Sequence, residues 1–251
     1  MHKIPKGYIL PSAAFTLERK YIKGYLITDK TPEAGDVVLG SISQVGQHQS
    51  LENAHGRIHS IHKGSYALFV YGNRYAPDYY EGLVPKIFSD KADLLARSGV
   101  IGEVITKSSK VIGPTKIRVF GYACDAQGKI INTKDFPLIK VKNDVKKYPR
   151  AKMILVVGTA MNSGKSMAAV ACCWALNAMG HDVRASKVTG TSSLKDILHM
   201  NDAGASPYAD FSYMGYPSTY MLSDAEMLNI FNTLDLKYAN NKENYWVVEF
   251  A

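Results

Sequence analysis

The stretch MILVVGTAMNSGKS, residues 153–166, decides the fold of the second part of this 251-residue chain. It opens with a continuous apolar run, which is typical of a strand that is buried on both faces of a parallel sheet. Residues 167–179 then form a long run rich in Ala, Cys, Val and Leu, and Gly180 follows where a helix usually ends. A buried strand, a loop and a helix in this order predict the opening of a parallel α/β sheet.

The loop at residues 158–166 matches the pattern G-x-x-x-x-G-K-[ST] in full. Its two glycines allow the loop to curl so that backbone N–H groups face phosphate oxygens, and the helix N-terminus adds partial positive charge. Lys165 would provide a cation for the β- and γ-phosphates, and the Ser166 hydroxyl would coordinate magnesium. We therefore predict a P-loop (Walker A) that binds ATP or GTP with Mg²⁺. The predicted cofactor-binding residues are Gly158, Thr159, Asn162, Ser163, Gly164, Lys165, Ser166 and Met167.

Ionisable residues follow the other predicted strands of this region. Glu249 ends the apolar run YWVVE, at the edge where ligands bind in open α/β sheets, and we predict it as a magnesium ligand; the alternative is a solvent-facing strand end. Lys187 ends the run VRASK at the same edge and would meet phosphates or the substrate's anion; the alternative is an exposed lysine. Asp196 and Asp202 lie in one predicted helix, and Asp210 follows it. A separation of six positions does not put Asp196 and Asp202 on the same face of a helix, so at most one of them is expected as a further metal ligand.

Before this region, residues 35–141 show short β-rich runs separated by turn residues such as Gly35-Asp36 and the segment 125–128. Such spacing predicts a small β-barrel or sandwich. The runs are VVLGSISQV, YALFVYG, GVIGEVIT, TKIRVFGYA, KIIN and FPLIKVK. Residues 89–97, SDKADLLAR, predict one short helix, because an Asp/Ser start precedes suitably spaced apolar residues.

These patterns predict two domains, a basic β-rich domain at residues 1–148 and a P-loop α/β domain with a mainly parallel sheet at residues 149–251. Only three strands are recognisable in the second domain, which is few for an open parallel sheet. We therefore expect an incomplete sheet, with further strands beyond Ala251.

The net charge of +8 is concentrated in the first part of the chain. Residues 1–150 contain 23 Lys and Arg against 13 Asp and Glu, whereas residues 151–251 contain 7 against 9. A basic domain can attract nucleic acid or a nucleotide substrate, but the lysines are scattered rather than clustered with aromatic residues, which favours an ordinary basic surface. One basic group is crowded beside the predicted linker, at Lys140, Lys142, Lys146, Lys147 and Arg150.

Three cysteines, Cys124, Cys172 and Cys173, offer no disulfide framework, which favours a reducing cytoplasm. The N-terminus lacks the order of a secretory signal, and no apolar run approaches the roughly 18–20 residues of a membrane helix. We expect a cytoplasmic protein with no membrane partner.

Two further groups have a structural and a functional interpretation. His48, His55, His59 and His62 could ligate a metal, but a polar loop and hairpin explain them better, since residues three apart in a strand face opposite sides. The run of residues 71–80 contains several tyrosines and Arg74, which could stack on a base or pack inside a small barrel.

The segments GTAMNSGKS, SKVTGT and VVEFA resemble the dethiobiotin synthetase branch of P-loop proteins, over residues 153–251. The resemblance implies an ATP-binding loop, magnesium held by Ser166, Glu249 and either Asp196 or Asp202, and activation of a carboxylate for ring closure. The segment DAGASPYADFSYMGYPSTY, residues 202–220, also resembles the DUF1611-type group of synthetase-like proteins, some of which are linked to amino-acid N-acylation.

The expected function is Mg²⁺-dependent use of ATP by a ligase or transferase that activates a small carboxylate-type substrate, with Lys165 and Lys187 in catalytic roles. One alternative is a coenzyme-A-dependent N-acyltransferase of an amino acid, in which the loop binds phosphates without hydrolysis. Another is a nucleotide-gated switch whose basic domain binds nucleic acid or a protein partner. A homodimer is compatible with all three.

Overall fold

The computed structural model describes residues 1–142 and 150–251. Within these ranges the protein is mixed α/β, with a largely antiparallel β sheet, a parallel sheet and three α-helices. The chain divides into two compact units: the first contains Met1–Leu138, Thr191–Leu194 and Gly215–Ser218, and the second contains Ile139–Gly190, Lys195–Met214 and Thr219–Ala251. The predicted boundary after residue 148 lies outside the described residues, as do Lys146 and Lys147.

The first unit is built from short strands. In chain order they are β1 (Gly24–Leu26), β2 (Val37–Gln44), β3 (Ser50–Glu52), β4 (Ile58–Ser60), β5 (Tyr66–Tyr71), β6 (Arg74–Tyr75), β7 (Tyr80–Leu83), β8 (Lys91–Leu94), β9 (Val100–Lys107) and β10 (Lys116–Cys124). Five of them pair in a closed ring in the order β10, β2, β5, β9, β8 and back to β10, and only the β5–β9 pair is parallel. β1 extends the sheet beside β10, β7 and β6 extend it beside β9, and β3 and β4 form a separate hairpin.

The central strands of this sheet are apolar on both faces. In β2, Val37 and Leu39 belong to one buried cluster and Val38 belongs to another. Because successive side chains of a strand point to opposite faces, this alternation means that each face is covered by its own core. The same is true of β5, where Leu68 and Phe69 lie in different clusters.

The helix predicted at residues 89–97 is wrong, since this segment contains strand β8. Ala92 and Leu94 are buried on alternate positions, and β8 pairs with both β9 and β10. Tertiary pairing therefore overrides a local helix-start signal.

Two predicted strands are also absent from the described first part of the chain. Residues 129–132 make only isolated bridges, to Asp36 and Cys124, and residues 136–142 form no strand. Pro137 in the latter segment lacks the N–H that a ladder requires. The predicted turn at residues 125–128 is confirmed: the Asp125 carboxylate accepts hydrogen bonds from the N–H groups of Gln127 and Lys129, both at 2.9 Å.

The second part of the chain alternates strands and helices. The elements are β11 (Lys152–Val156), α1 (Lys165–Ala178), β12 (Val183–Lys187), α2 (Leu194–Asp202), β13 (Tyr208–Asp210), α3 (Asp224–Tyr238) and β14 (Tyr245–Glu249). The four strands form one parallel sheet in the order β11, β14, β12, β13. The predicted order of strand, loop and helix is confirmed, but β11 lies at the edge of the sheet with Met153 and Leu155 exposed, so it is not buried on both faces. Gly180 has the left-handed φ of +82° expected after the helix.

Local sequence signals explain the helices. Ser223 caps α3 in a reciprocal capping box with Glu226. α1 packs against the sheet through Ala169 and Cys173, both fully buried. The longest described helix, α3, has 15 residues, and no helix in the described ranges is long and apolar enough to cross a bilayer.

Candidate functional site

The loop between β11 and α1 needs its glycines. Gly164 has a φ of +89° and Asn162 a φ of +63°, so the chain turns through left-handed conformations just before the helix. A Cβ atom on Gly158 would lie 2.3 Å from the Ser163 Oγ, which is far inside van der Waals contact. A side chain at residue 158 would therefore force the side chains of Ser163 and Lys165 to move.

Lys165 is buried although the loop before it is exposed. Its Nζ donates a hydrogen bond of 2.7 Å to the Ala160 carbonyl, so the side chain folds back over its own loop. Thr159 and Ser163 are exposed, and Met167, in the first turn of α1, is 66 % exposed. Of the predicted cofactor-binding residues, Lys165 is thus buried and Ser166 half-buried, whereas the others are exposed.

Three neighbouring strands of the parallel sheet end in ionisable residues at one level. Lys187 on β12 pairs in register with Glu249 on β14 and with Asp210 on β13. Register partners of a parallel sheet project their side chains to the same face. Lys187, Glu249 and Asp210 therefore form a row of alternating charge at the carboxyl edge of the sheet.

Lys187 is the centre of this row. Its Nζ lies 2.5 Å from Asp196 Oδ2, in the first turn of α2, and 3.5 Å from Glu249 Oε1. Burial lowers the pKa of Lys187, but the charges of Asp196 and Glu249 raise it more, so its pKa is above the usual value. Lys187 is therefore a buried, protonated cation rather than an exposed lysine.

Ser166 connects the loop to this row. Its Oγ donates a hydrogen bond of 2.8 Å to Glu249 Oε1, the same oxygen that faces Lys187. The other carboxylate oxygen of Glu249, Oε2, is buried and has no hydrogen-bond partner in the described residues. Glu249 is 1 % exposed, so it is not a solvent-facing strand end.

One cluster is formed by Lys187, Glu249, Asp210, Asp196 and Ser166. Asp210 is the member for which the sequence predicted no role. Its Oδ1 accepts hydrogen bonds from the Ser212 N–H at 2.9 Å and the Ser212 hydroxyl at 2.5 Å, whereas its buried Oδ2 has no partner in the described residues. Burial raises the pKa of Asp210 to about 6, against the opposing effect of the Ser212 hydrogen bonds and the Lys187 charge. The sequence feature that could have identified Asp210 is the short run YAD, residues 208–210, which ends in an acidic residue as the run YWVVE does.

Of the two aspartates of α2 that were predicted as metal ligands, only Asp196 contacts the cluster, as their spacing on the helix requires. Asp196 joins the cluster through Lys187, whereas Asp202 is exposed at the last residue of α2. In residues 1–142 and 150–251, no group of three or more His, Cys, Asp or Glu side chains has the arrangement of a metal site. A divalent ion would therefore use the Ser166 hydroxyl and the Glu249 carboxylate together with ligand and water oxygens, which is how Mg²⁺ is usually bound. These hard oxygen donors fit that ion.

The two other groups singled out from the sequence lie in the first unit and are only partly buried. Tyr71 and Tyr80 are buried in the core, whereas Tyr75 is exposed. His48 is buried beside Arg74, with 3.3 Å between its Nε2 and a guanidinium nitrogen, and its ring stacks on Tyr79. His55 and His62 are exposed and His59 bonds to Asn53, so the four histidines do not gather around one point.

Comparisons with protein-family models, with curated proteins and with solved structures find no match for this chain. Function is therefore inferred from the motifs and from the geometry of the cluster.

Proposed function

We propose that the second part of the chain is a P-loop domain that binds a nucleoside triphosphate with Mg²⁺ and activates a small carboxylate-type substrate by phosphoryl transfer. The observation that carries this proposal is the Ser166–Glu249 hydrogen bond of 2.8 Å. It joins the hydroxyl of a complete G-x-x-x-x-G-K-[ST] motif to a buried carboxylate on a neighbouring strand. In P-loop NTPases these two groups are the protein's means of holding magnesium.

The loop would hold the phosphates. The N–H groups at the start of α1 have no acceptor within the helix and carry partial positive charge, which suits phosphate oxygens. The Lys165 ammonium now bonds to the Ala160 carbonyl, an acceptor within its own loop, and a phosphate oxygen would replace that weaker neutral acceptor. Lys165 would then stabilise the negative charge that develops on the transferred group.

Ser166 and Glu249 would hold the magnesium. Asp196 is a further candidate, because it contacts Lys187, which also faces Glu249. When bound, the ion neutralises charge on the β- and γ-phosphates and fixes their orientation. Glu249 and Asp196 provide the negative charge that such an ion requires in a buried site.

Lys187 would attract the anionic substrate or the γ-phosphate to the carboxyl edge of the sheet. The substrate carboxylate oxygen attacks the γ-phosphorus, the bond from that phosphorus to the β,γ-bridging oxygen breaks, and an acyl phosphate and a nucleoside diphosphate result. This chemistry depends on positioning and electrostatics, so it needs no nucleophile from the protein.

Coenzyme-A-dependent acyl transfer is the second candidate, because the same loop could bind the phosphates of coenzyme A. The buried carboxylates of Glu249 and Asp210 favour the triphosphate, since anionic ligands without a metal ion would be repelled by them. The two candidates make opposite predictions about the effect of magnesium on ligand binding.

The test is calorimetric titration of the full chain with ATP, GTP and coenzyme A, each with Mg²⁺ and with EDTA. We expect triphosphate binding that requires Mg²⁺ and that weakens about 10–100-fold in Lys165→Ala, since a charge-assisted phosphate contact is lost. Lys237→Ala, at an exposed lysine of α3, is the matched control and should bind normally. Binding of coenzyme A alone, independent of Mg²⁺, would replace the first candidate by the second, and binding of neither ligand class would refute both.

A further inference from the structure

The cluster at the carboxyl edge contains more negative than positive charge. Lys187 faces the carboxylates of Asp196 and Glu249, while Asp210 is its register partner on the other side. One ammonium therefore balances three carboxyl groups. A divalent cation would neutralise these carboxyl groups better than one ammonium does, because unpaired buried charge is unfavourable.

Two carboxylate oxygens of the cluster are unsatisfied. Glu249 Oε2 and Asp210 Oδ2 are buried and have no hydrogen-bond partner in the described residues, although each residue is only 1 % exposed. Buried polar atoms are nearly always paired, and exceptions at a ligand site indicate an ion or water that completes them. The two oxygens belong to the strands on either side of Lys187, so both are free to accept a cation or water that enters the cluster.

We infer that Lys187 is a resident counterion that competes with a divalent cation for this cluster. The Lys187 Nζ contacts Asp196 Oδ2 and also lies 3.5 Å from Glu249 Oε1, the oxygen that accepts the Ser166 hydrogen bond. These are the donors that a magnesium ion would use. A hard cation bound to Glu249 and Ser166 would lie a few ångströms from the ammonium, and the two positive charges would repel each other.

Cation binding would thus release Lys187 from Glu249 and Asp196. The lysine side chain has four rotatable bonds, so its ammonium can leave the carboxylates and meet an anion near the loop. This inference rests on the proposed function for the identity of that anion, a phosphate or the substrate carboxylate. It adds an order of events, because the metal enters before Lys187 becomes available to the anion.

The test measures Mn²⁺ binding to the full chain without nucleotide, by the loss of the free-ion signal in electron paramagnetic resonance. We expect Lys187→Met to bind Mn²⁺ about tenfold more tightly than the wild type, because a competing unit charge is removed. Lys187→Arg keeps the charge and should bind Mn²⁺ as weakly as the wild type. Lys237→Met, which removes an exposed lysine of the same unit, is the control. Equal or weaker binding by a folded Lys187→Met protein would overturn the inference.

A second measurement uses only the wild type and does not depend on whether Lys187→Met folds. Lys187 is 7 % exposed, so it should react slowly with acetic anhydride, as followed by mass spectrometry. Added Mg²⁺ should raise its acetylation about threefold or more, while acetylation of Lys237 stays constant. No change, or slower acetylation with Mg²⁺, would contradict displacement. Neither assay contains nucleotide, so the two proposals can fail separately. Displacement of Lys187 without triphosphate binding would overturn only the proposed function. Triphosphate binding without displacement of Lys187 would overturn only this inference.

Discussion

Asp36 in the first unit and Asp210 in the second are both buried aspartates, but their oxygens are satisfied differently. Asp36 Oδ2 accepts from the Lys30 ammonium at 2.5 Å and the Glu33 N–H at 2.9 Å, and its Oδ1 accepts from the Asn132 amide at 3.1 Å. Asp210 has two bonds on Oδ1, both from Ser212, and none on Oδ2. Burial alone therefore does not separate a structural acid from a candidate functional one, whereas the saturation of its hydrogen bonds does.

The largest expected change in stability concerns Asp36, the aspartate whose two oxygens both accept hydrogen bonds. Asp36→Asn should destabilise the first unit by about 3 kcal/mol, because it leaves the Lys30 ammonium without its buried partner and turns an amide toward the Glu33 N–H. Urea unfolding followed by tyrosine fluorescence measures this change. The control is Asp135→Asn, which breaks the exposed Lys129–Asp135 pair and should change stability by less than about 0.5 kcal/mol. A loss no larger than that of the control would refute the structural role of Asp36.

The second effect concerns the buried histidine of the first unit. Burial, with a smaller contribution from the Arg74 charge, lowers the pKa of His48 from 6.5 to about 4. The unfolded chain then binds a proton between pH 6.5 and 4 that the folded unit does not bind, so stability falls as the pH decreases through this window. The expected loss is about 3 kcal/mol, by the usual 1.4 kcal/mol per pKa unit.

Urea unfolding at a series of pH values tests this slope, with His48→Gln and the exposed His62→Gln as a matched pair. The slope should flatten in His48→Gln and persist in His62→Gln. A slope that is the same in both variants would show that other groups cause it.

A smaller effect of opposite sign is expected for Asp210. Its pKa of about 6 lies above the ordinary 3.8, so the folded second unit binds the extra proton, and stability is lost as the pH rises through that window. Asp210→Asn removes a penalty of about 3 kcal/mol but weakens the hydrogen bonds that the carboxylate accepts from Ser212, so it should stabilise the second unit by about 1–2 kcal/mol at pH 8 in EDTA. Thermal unfolding followed by tryptophan fluorescence measures this change. Destabilisation at pH 8 would show that the Asp210 carboxylate, like that of Asp36, stabilises the fold.

The smallest expected change in stability is at Gly158. A Cβ there would meet the Ser163 Oγ at 2.3 Å, but the loop is exposed and can shift. Gly158→Ala should therefore alter the unfolding free energy by less than about 1 kcal/mol while weakening triphosphate binding about tenfold. Gly113→Ala, at a glycine of the first unit without a left-handed φ whose Cβ would meet nothing within 4 Å, is the comparison for binding and should leave it unchanged. Equal triphosphate affinity in the two variants would show that the shape of the Gly158 loop does not matter.

Much of the candidate site was predictable from local patterns. The apolar run, the loop motif and the following helix predicted β11, residues 158–166 and α1, and runs that end in Lys187 and Glu249 predicted strands with one common edge. These predictions worked because each depends on periodicity and on turn residues within one segment. β8 and β13 were missed, because strands of four and three residues carry little signal of their own and form through pairing with neighbours.

The sequence by itself determined which residue types follow each strand and which loop matches the pattern G-x-x-x-x-G-K-[ST], since these depend on covalent order and local backbone preference. Only the tertiary structure decided that Asp196, and not Asp202, contacts Lys187, because the rotation of α2 about its axis depends on packing. It also decided that Asp210 stands beside Lys187 with an unpaired oxygen, because strand register is set by long-range pairing. The loop is therefore a property of one segment, whereas the charge balance around Lys187 is a property of the folded sheet.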